Sequence, residues 1–402
     1  MIQHLSGAHI LVADDQNDVA RTLCRPLQKA GARLHFAADG RTALEEISSR
    51  PLDLILIDMK MPPNEWGGLW LLKQLQEGGW RLPSLVLSGE GSKKQVVEAL
   101  RLGAIDWIDK DDAGEELLER CVKVLADRLA QALAVAAGDL PTPLAYRIAR
   151  YERTADLEKK TAEGLHALES IFRFAALLGL STTSPAPLAG ITPVRLASPS
   201  MGTWFDICAA IAKLSGAGSD FTRMMSWLVP GRSEHQSVQE FISVRNNLAH
   251  GRGTPTAEQS AELDFLLRRF AHRAASSWRA DMVVPTSMTY DGNVYSVDVL
   301  SLRGTGKPIP TSIRVQKAVI TGQVFLIPHG SEPLPLAPWI LAHTGSGSDS
   351  VRCLHFDGVQ RGKSSATSAA PFRFSTSDEE LDAPSVSHPQ ATAHALAEWA
   401  TP

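Results

Sequence analysis

The sequence predicts a doubly wound α/β domain with a five-stranded parallel sheet, followed by an all-α bundle and a small β-rich module. Three observations lead to this prediction. Short apolar runs alternate with amphipathic stretches from residue 8 to 125, helical periodicity continues to about residue 280, and short alternating runs bounded by turn residues follow. With 402 residues, the chain is long enough for two or three such units.

The first segment, residues 1–128, contains five predicted strands: AHILVAD, RLHFAAD, LDLILID, PSLVLSG and AIDWIDK. The runs 54–57 and 85–87 are apolar at every position, as strands of a parallel sheet covered by helices on both faces must be. Five helices alternate with the strands, and Gly31 and Gly103 stand where two of them should stop. Ligands of such sheets bind at the carboxyl ends of the strands, so candidate site residues are sought there.

Helical periodicity dominates the second segment, residues 129–280. Pro141 and Pro143 interrupt it early, and the Ser, Thr and Pro content of residues 181–199 predicts a loop. The remaining helices are predicted at 204–214, at 221–228, after a Ser233–Gln236 capping signature and after a second such signature at Thr256–Gln259.

The third segment, residues 281–360, has the alternation of β-structure. SMTYDGNVYSVDVL predicts two strands joined by a turn at Asp291-Gly292, and Trp339 is expected in the core. Residues 361–402 are rich in Ser, Thr, Ala and Pro, which predicts a disordered tail.

Composition limits the expected partners and location. A net charge of -4 gives no general reason to expect nucleic acid or acidic lipid. No apolar run approaches the roughly 20 residues that span a bilayer, and the N-terminus lacks the pattern of a signal peptide, so a cytoplasmic protein without a membrane partner is expected. The four cysteines are too widely spaced for a metal site and are expected to be buried free thiols: Cys24, Cys121, Cys208 and Cys353.

Polar residues end four of the predicted strands: Asp14 and Asp15, then Asp58, Ser88 and Lys110. Three carboxylates at one point repel each other, and a hard divalent cation such as Mg²⁺ relieves that repulsion. A carboxylate can attack a phosphoryl group to form an acyl phosphate, while a hydroxyl and an ammonium group bind the phosphoryl oxygens. The alternative for each residue is a helix cap, a turn residue or a surface charge.

This ordered set resembles the receiver domain of bacterial two-component response regulators, a flavodoxin-like fold. The resemblance implies that Asp58 accepts a phosphoryl group from an upstream histidine kinase or phosphotransfer protein, and that the receiver catalyses only its own phosphorylation and dephosphorylation. Lys110 and Ser88 would contact the phosphoryl group, and Trp107 takes the aromatic switch position. The implied Mg²⁺ ligands are Asp14, Asp15, Asp58 and the backbone carbonyl of Lys60.

Two departures from the family pattern concern loops beside this site. Asp111 follows Lys110, where the family usually has a proline after a cis peptide bond. The loop MPPNEWGG is one residue longer than usual, so Gly67 rather than residue 66 is predicted to make its turn.

The VRNNLAHG stretch resembles the R-x(4)-H motif of HEPN domains. Arg245, Asn246 and His250 lie near the end of a predicted helix that Gly251 would terminate. The resemblance implies a helical, frequently dimeric domain and a metal-independent ribonuclease, with RNA and a second copy as partners. His250 would act as acid or base, Arg245 would contact phosphate, and Asn246 would orient the substrate. The alternative places Arg245 in a surface ion pair and His250 as a cation near a helix C-terminus, where the helix dipole favours it.

Two functions therefore stay open for the part that follows the receiver. One is a ribonuclease controlled by phosphorylation, and the other is a non-catalytic signalling adaptor whose phosphorylation controls dimerisation or partner binding. No DNA-binding helix-turn-helix, phosphate loop or zinc motif is present. The basic stretch with Arg268, Arg269, Arg273 and Arg279 is expected to be a solvated helix face, and His272 a surface or boundary histidine.

Overall fold

The computed structural model describes residues 2–89, 91–182, 188, 190–214, 235–250, 252–328, 332–344, 351–359, 372–376, 394 and 398. The chain divides into two compact units. The first unit comprises Met1–Val135 and Arg268–Arg279, and the second comprises Ala136–Leu267 and Ala280–Pro402. The four segments predicted from the sequence stay a proposal for the domain boundaries. The association of residues 268–279 with the first unit was not anticipated.

The first unit is a doubly wound parallel sheet, as predicted. Its strand order is β2-β1-β3-β4-β5, and every neighbouring pair is parallel. The strands are β1 (His9–Ala13), β2 (Arg33–Ala37), β3 (Leu54–Ile57), β4 (Ser84–Leu87) and β5 (Asp106–Ile108). The helices are α1 (Asn17–Leu23), α2 (Arg25–Lys29), α3 (Gly40–Ser49), α4 (Gly67–Glu77), α5 (Lys93–Arg101) and α6 (Ala113–Asp139).

The first predicted helix is split into α1 and α2 at Cys24. Pro26, the second residue of α2, has no backbone N–H to donate and its ring disfavours an unbroken helix. Gly31 ends α2 with a φ of 95°, and Gly103 follows α5 with a φ of 100°, so both glycines adopt the predicted left-handed conformation.

The three central strands of the first unit, β1, β3 and β4, are buried except at His9. All four residues of β3 are 0% exposed, because helices cover both faces of the sheet. Cys24 and Cys121 lie in the same core cluster as Leu54 and Leu85. All four cysteines are free and buried, as predicted, and burial raises the pKa of the Cys24 thiol to about 12.

The second unit begins with helices, and the break predicted at Pro141 lies between α6 and α7. The helices are α7 (Thr142–Arg153), α8 (Leu157–Thr182), α9 (Pro193–Ala197), α10 (Met201–Leu214), α11 (His235–Ala249) and α12 (Ala257–Ser277), of which α12 continues into the first unit. The 181–199 segment, predicted as a loop, contains the five-residue α9. Thr192 accepts a hydrogen bond from the Arg195 N–H, and Pro193 suits the first helical position.

Two antiparallel sheets follow, so the predicted β-rich region is present. Their strand orders are β10-β9-β6-β7-β8 and β11-β12-β13. The strands are β6 (Ala280–Tyr290), β7 (Tyr295–Ser301), β8 (Ile309–Val315), β9 (Phe325–Pro328), β10 (Leu334–Pro335), β11 (Ile340–Thr344), β12 (Val351–Val359) and β13 (Phe372–Thr376). The predicted turn joins β6 to β7 through Asp291, and Trp339 is buried as expected.

Strand β13 lies within the segment predicted to be a disordered tail. Phe374 on β13 is buried against Phe356 of β12, with ring centroids 6.0 Å apart. An aromatic anchor within a polar segment thus supplies enough apolar burial for one short strand.

Several predicted features lie outside the described residues. These are the helix at 221–228, Ser233 of the capping signature, Gly251 at the end of α11, and most of residues 361–402. Within the described part of the chain, no helix combines the length and the apolar character needed to cross a membrane.

Candidate functional site

Three carboxylates meet where β1 and β3 end. Asp14 follows β1 and Asp58 follows β3, and the Asp58 N–H donates to the Ala13 carbonyl at 2.8 Å, which holds the two strand ends side by side. One carboxylate oxygen each from Asp14, Asp15 and Asp58 lies within 4.8 Å of the others. Asp14 and Asp58 are buried and Asp15 is exposed, so the cluster opens to solvent on one side.

Lys110, two residues after β5, reaches this cluster from the neighbouring end of the sheet. Its Nζ lies 2.8 Å from Asp14 Oδ2 and 3.4 Å from Asp58 Oδ1. Burial alone would lower the pKa of Lys110, but the hydrogen bond with Asp14 and the charge of Asp58 raise it above its usual value. The ammonium group therefore stays charged and offsets part of the repulsion between the carboxylates.

Ser88 follows β4 and is a further residue whose side chain contacts Asp58. Its side chain is hydrogen-bonded to the Asp58 carboxylate, and its backbone N–H donates to the Ile108 carbonyl at 3.2 Å. Burial raises the pKa of Asp58, while the hydrogen bond from Ser88 and the charge of Lys110 counteract that rise. The arrangement can deliver an oxygen nucleophile with a hydroxyl and an ammonium group beside it.

The loop after Asp58 passes so close to the start of α4 that only glycine fits there. A Cβ on Gly67 would lie 2.0 Å from the Met61 carbonyl oxygen, and a Cβ on Gly68 would lie 2.5 Å from the Asp58 carbonyl oxygen. The Gly67 N–H donates to the Met61 carbonyl oxygen at 2.9 Å. Gly67 thus begins the helix and closes the long loop, in agreement with the sequence. Lys60 lies at the exposed start of that loop.

The loop that follows Lys110 departs from the family pattern, because the peptide bond after Lys110 is not cis. In the described part of the chain, cis bonds precede Pro63 and Pro338, so the bond between Lys110 and Asp111 is trans. The Asp111 N–H donates to the Asp109 side chain at 3.0 Å, which supports a turn at this position.

Trp107 lies on β5 with its ring half-buried against the loop after Ser88. A Cβ on Gly91 would lie 2.5 Å from the Trp107 ring, so the indole rests directly on the backbone at Gly91. Trp107 therefore contacts the loop that follows the hydroxyl residue of the site.

Residues 10–122 match the response regulator receiver domain family. The chain is 35% identical over 156 residues to response regulator MprA of Mycolicibacterium vanbaalenii, an alignment that covers 37% of this chain and 67% of that relative. This chain belongs to the response regulator family. The regulatory protein AtoC of Escherichia coli is 34% identical over 108 residues, which cover 27% of this response regulator and 23% of AtoC.

Solved receiver domains are also similar to part of this chain. The receiver domain of the Francisella response regulator 1452 is 32% identical, with 30% of this chain and 98% of that domain aligned and a TM-score of 0.28. A receiver domain implies an upstream kinase or another phosphodonor as a partner of this response regulator.

The residues of the predicted HEPN-like motif lie at the end of α11. Arg245 is half-buried, and its Nε and Nη2 donate to the Glu169 carboxylate of α8 at 3.3 Å each. Asn246 and His250 are exposed, and the His250 N–H donates to the Asn246 carbonyl at 3.2 Å. Arg245 is thus engaged by a carboxylate, which an incoming phosphate would have to displace.

The prediction for the basic stretch was wrong at three positions. Arg269, His272 and Arg273 are all buried in the first unit, where a solvated helix face and a surface histidine were expected. Their partner is Asp53, a buried carboxylate that sequence reasoning missed. The sequence offers only a partial signal: positions 269, 272 and 273 share one helix face, and Asp53 directly precedes an entirely apolar strand.

Proposed function

We propose that this response regulator accepts a phosphoryl group on Asp58 from an upstream histidine kinase or phosphotransfer protein. Asp14, Asp15, Asp58 and the Lys60 carbonyl would hold Mg²⁺. The observation that carries the proposal is the position of the Asp58 carboxylate, which lies in the carboxylate cluster while Lys110 and Ser88 contact it.

The donor set suits Mg²⁺ because every candidate ligand is an oxygen atom, and hard divalent cations prefer oxygen. When bound, Mg²⁺ would neutralise charge on the transferred phosphoryl group. Asp14 is buried and already accepts a hydrogen bond from the Gln16 N–H at 2.8 Å, so its carboxylate is fixed in direction. Asp15 supplies a carboxylate that solvent and a cation can reach.

The proposed transfer uses the side chains in distinct roles. An Asp58 oxygen attacks phosphorus, a P–O bond forms, and the bond from phosphorus to the donor breaks as the donor keeps the electron pair. Lys110, now ion-paired with Asp58, would pair with a phosphoryl oxygen, and the Ser88 hydroxyl would donate to another. The product is an acyl phosphate on Asp58.

Intact-mass measurement after incubation with acetyl phosphate and Mg²⁺ tests this proposal. We expect the full chain to gain the mass of one phosphoryl group, and the Asp58→Asn variant or a reaction without divalent cation to gain none. Asp127→Asn, which changes an exposed carboxylate on α6, is the matched control and should behave like the unaltered chain. A gain of one phosphoryl mass in the Asp58→Asn variant would contradict the proposal.

The proposed output is an RNA-cleaving HEPN-like region in the helical part, and one observation favours it. Asn246 and His250 are exposed together at the end of α11, next to Arg245. The motif thus lies on an accessible helix end, where an imidazole can act as acid or base on RNA and a second copy can contribute to a dimeric site.

Cleavage of labelled RNA by the full chain tests this second proposal. We expect His250→Ala to abolish cleavage and Asn247→Ala, an exposed neighbour on the same helix end, to preserve it. Absence of cleavage with and without phosphodonor would favour the adaptor alternative. In that case phosphorylation at Asp58 should change the sedimentation coefficient or partner binding instead.

A further inference from the structure

A buried ion pair joins α12 to the receiver at the end of the sheet opposite Asp58. Asp53 directly precedes β3, and Arg273 donates from Nε to Asp53 Oδ1 and from Nη2 to Asp53 Oδ2, each at 2.9 Å. Both residues belong to the first unit and are 5% exposed or less. This two-pronged geometry is the strongest and most directional form of an arginine–carboxylate contact.

Further polar contacts surround this ion pair. Arg269 donates to the Ser6 carbonyl at 2.8 Å and also to the Gly7 carbonyl, and His272 Nε2 lies 3.0 Å from the Asp53 carbonyl. The Arg81 N–H donates to the Ser276 carbonyl at 3.2 Å, and the Arg279 guanidinium lies 4.6 Å from the centre of the Trp80 ring. We call these contacts between residues 268–279 and the receiver the Asp53 interface.

The chemistry of the Asp53 interface favours a specific docking role over simple core packing. Burial alone would raise the pKa of Asp53, but the charge and hydrogen bonds of Arg273 hold it below its usual range. Both partners are therefore charged at neutral pH. An apolar pair of the same volume would usually stabilise a fold at least as well, whereas a buried ion pair fixes one arrangement of the segment.

The same two strands connect the Asp53 interface to the phosphorylation site. Asp53 and Asp58 flank β3, and a separation of five residues in a strand corresponds to about 17 Å. On β1, the His9 N–H donates to Asp53 Oδ2 at 2.7 Å, and Asp14 follows the other end of the strand. Because β1 and β3 are buried in a close-packed core, strain at one end of these strands can be transmitted to the other end.

We propose that the Asp53 interface is the surface on which this receiver binds its own helix α12, and that phosphorylation of Asp58 tightens that binding. The proposal rests on the proposed function of Asp58 as phosphoacceptor. An acyl phosphate carries about one more negative charge than the carboxylate that it replaces. The docked segment carries Arg268, Arg269, Arg273 and Arg279, so the phosphorylated site attracts it more strongly than the unphosphorylated site with the same Mg²⁺ bound.

The expected size of the effect follows from the separation. One unit charge acting on another at about 17 Å, with an effective dielectric constant near 20, changes a docking equilibrium about fivefold. Coupling between allosteric sites usually amounts to about 5-fold to 150-fold. Residues 268–277 of the docked segment form the C-terminal part of α12, and residues 257–267 of the same helix belong to the second unit. Tighter docking therefore acts on a helix that both units share.

Hydrogen–deuterium exchange of the full chain tests the coupling. With Mg²⁺ in every sample, we expect acetyl phosphate to slow the exchange of amides 268–277 about fivefold in the unaltered chain and to leave it unchanged in Asp58→Asn. Intact mass, measured on the same samples, reports phosphorylation separately. Missing phosphorylation would overturn the proposed function and this coupling together, while phosphorylation with unchanged or faster exchange would overturn the coupling alone.

Variants of the ion pair distinguish coupling from a structural effect. Arg273→Gln removes the two-pronged partner of a buried carboxylate, with Arg269 remaining 3.8 Å away, and can prevent folding. The combined Asp53→Asn and Arg273→Gln variant therefore provides a neutral pair. We expect this variant to be phosphorylated at Asp58 but to lose the slowing of exchange in residues 268–277. Arg25→Gln, an exposed arginine on α2, should keep it. Slowing that survives in the neutral pair would overturn the proposed role of the Asp53 interface.

Discussion

Asp53 and Asp58 flank the two ends of the four-residue strand β3, and each is ion-paired with a basic side chain. Asp53 is fixed by Arg273 from α12, whereas Asp58 shares Lys110 with Asp14. One carboxylate is thus held in a closed, fully satisfied contact, and the other lies in a cluster that reaches solvent through Asp15. The closed end is suited to hold a segment of the chain and the open end to exchange a ligand.

Replacing Lys110 is expected to have opposite effects on cation binding and on phosphorylation. Its ammonium group lies 2.8 Å from Asp14 and repels a divalent cation in the same cluster. Lys110→Gln should therefore raise the Mg²⁺ affinity by about tenfold or more, since removing a unit charge within about 5 Å is worth a few kcal/mol at an effective dielectric constant near 20. Phosphorylation should become slower, because a phosphoryl oxygen loses its cationic contact.

Isothermal titration with Mg²⁺ and the time course of phosphorylation by acetyl phosphate measure these two effects. Lys123→Gln, an exposed lysine on α6, is the control for loss of charge alone. An unchanged or weaker Mg²⁺ affinity in Lys110→Gln would show that the cation does not occupy this cluster.

Breaking the Asp53–Arg273 pair should destabilise the chain far more than breaking a surface pair. Arg273→Ala removes the two-pronged partner of a buried carboxylate, and breaking such a buried pair typically costs about 3–5 kcal/mol. Arg120→Gln removes exposed contacts to Asp106 and Glu116, and such pairs contribute about 1 kcal/mol or less. Urea unfolding at neutral pH measures both changes. Equal losses in the two variants would contradict the assignment of Asp53 as an obligatory buried partner.

The receiver fold was predictable because its signals are local. The central strand β3 is apolar along its length, the glycines mark helix ends, and the acidic residues directly follow strands β1 and β3. The split between α1 and α2 at Cys24 was missed. Proline is tolerated in the first turn of a helix, so Pro26 alone does not show whether residues 17–29 form one helix or two.

The Asp53 interface could not be derived in the same way because Asp53 and Arg273 are 220 residues apart in the sequence. Periodicity places Arg269, His272 and Arg273 on one helix face but does not show what covers that face. Charged residues are mostly exposed, so a solvated face was the reasonable inference, and only the three-dimensional pairing with Asp53 overturns it. Strand β13 was missed for a similar reason, because Phe374 packs against Phe356 on the neighbouring strand β12, a contact that local periodicity does not show.

Gly67→Ala should disrupt the loop beside Asp58. The added Cβ would lie 2.0 Å from the Met61 carbonyl oxygen, so the backbone must move, and overpacking of this kind costs about 1–3 kcal/mol or more. Gly114→Ala on α6 is the matched control, because no atom lies within 4 Å of its added Cβ and alanine favours a helix. Thermal unfolding should show a lower Tm for Gly67→Ala and an unchanged or higher Tm for Gly114→Ala.

His355 should make the second unit less stable as the pH falls below neutrality. This buried histidine of β12 is 3% exposed, and burial, with a smaller effect of the Arg173 charge, lowers its pKa to about 3. Its Nε2 has no hydrogen-bond partner among the described atoms. The unfolded chain binds a proton near pH 6.5 and the folded chain does not, so the stabilisation is complete above about pH 6.5 and is lost as the pH falls towards 3.

Between about pH 7 and about pH 5, this difference in proton uptake corresponds to a loss of about 2 kcal/mol in the free energy of unfolding. Urea unfolding of the full chain at both pH values, compared with His355→Leu, isolates the contribution, because other histidines titrate equally in the two proteins. His355→Leu should lose about 2 kcal/mol less than the unaltered chain over this interval. If both proteins lose the same amount, His355 is protonated in the folded state and the β12 core must admit its charge.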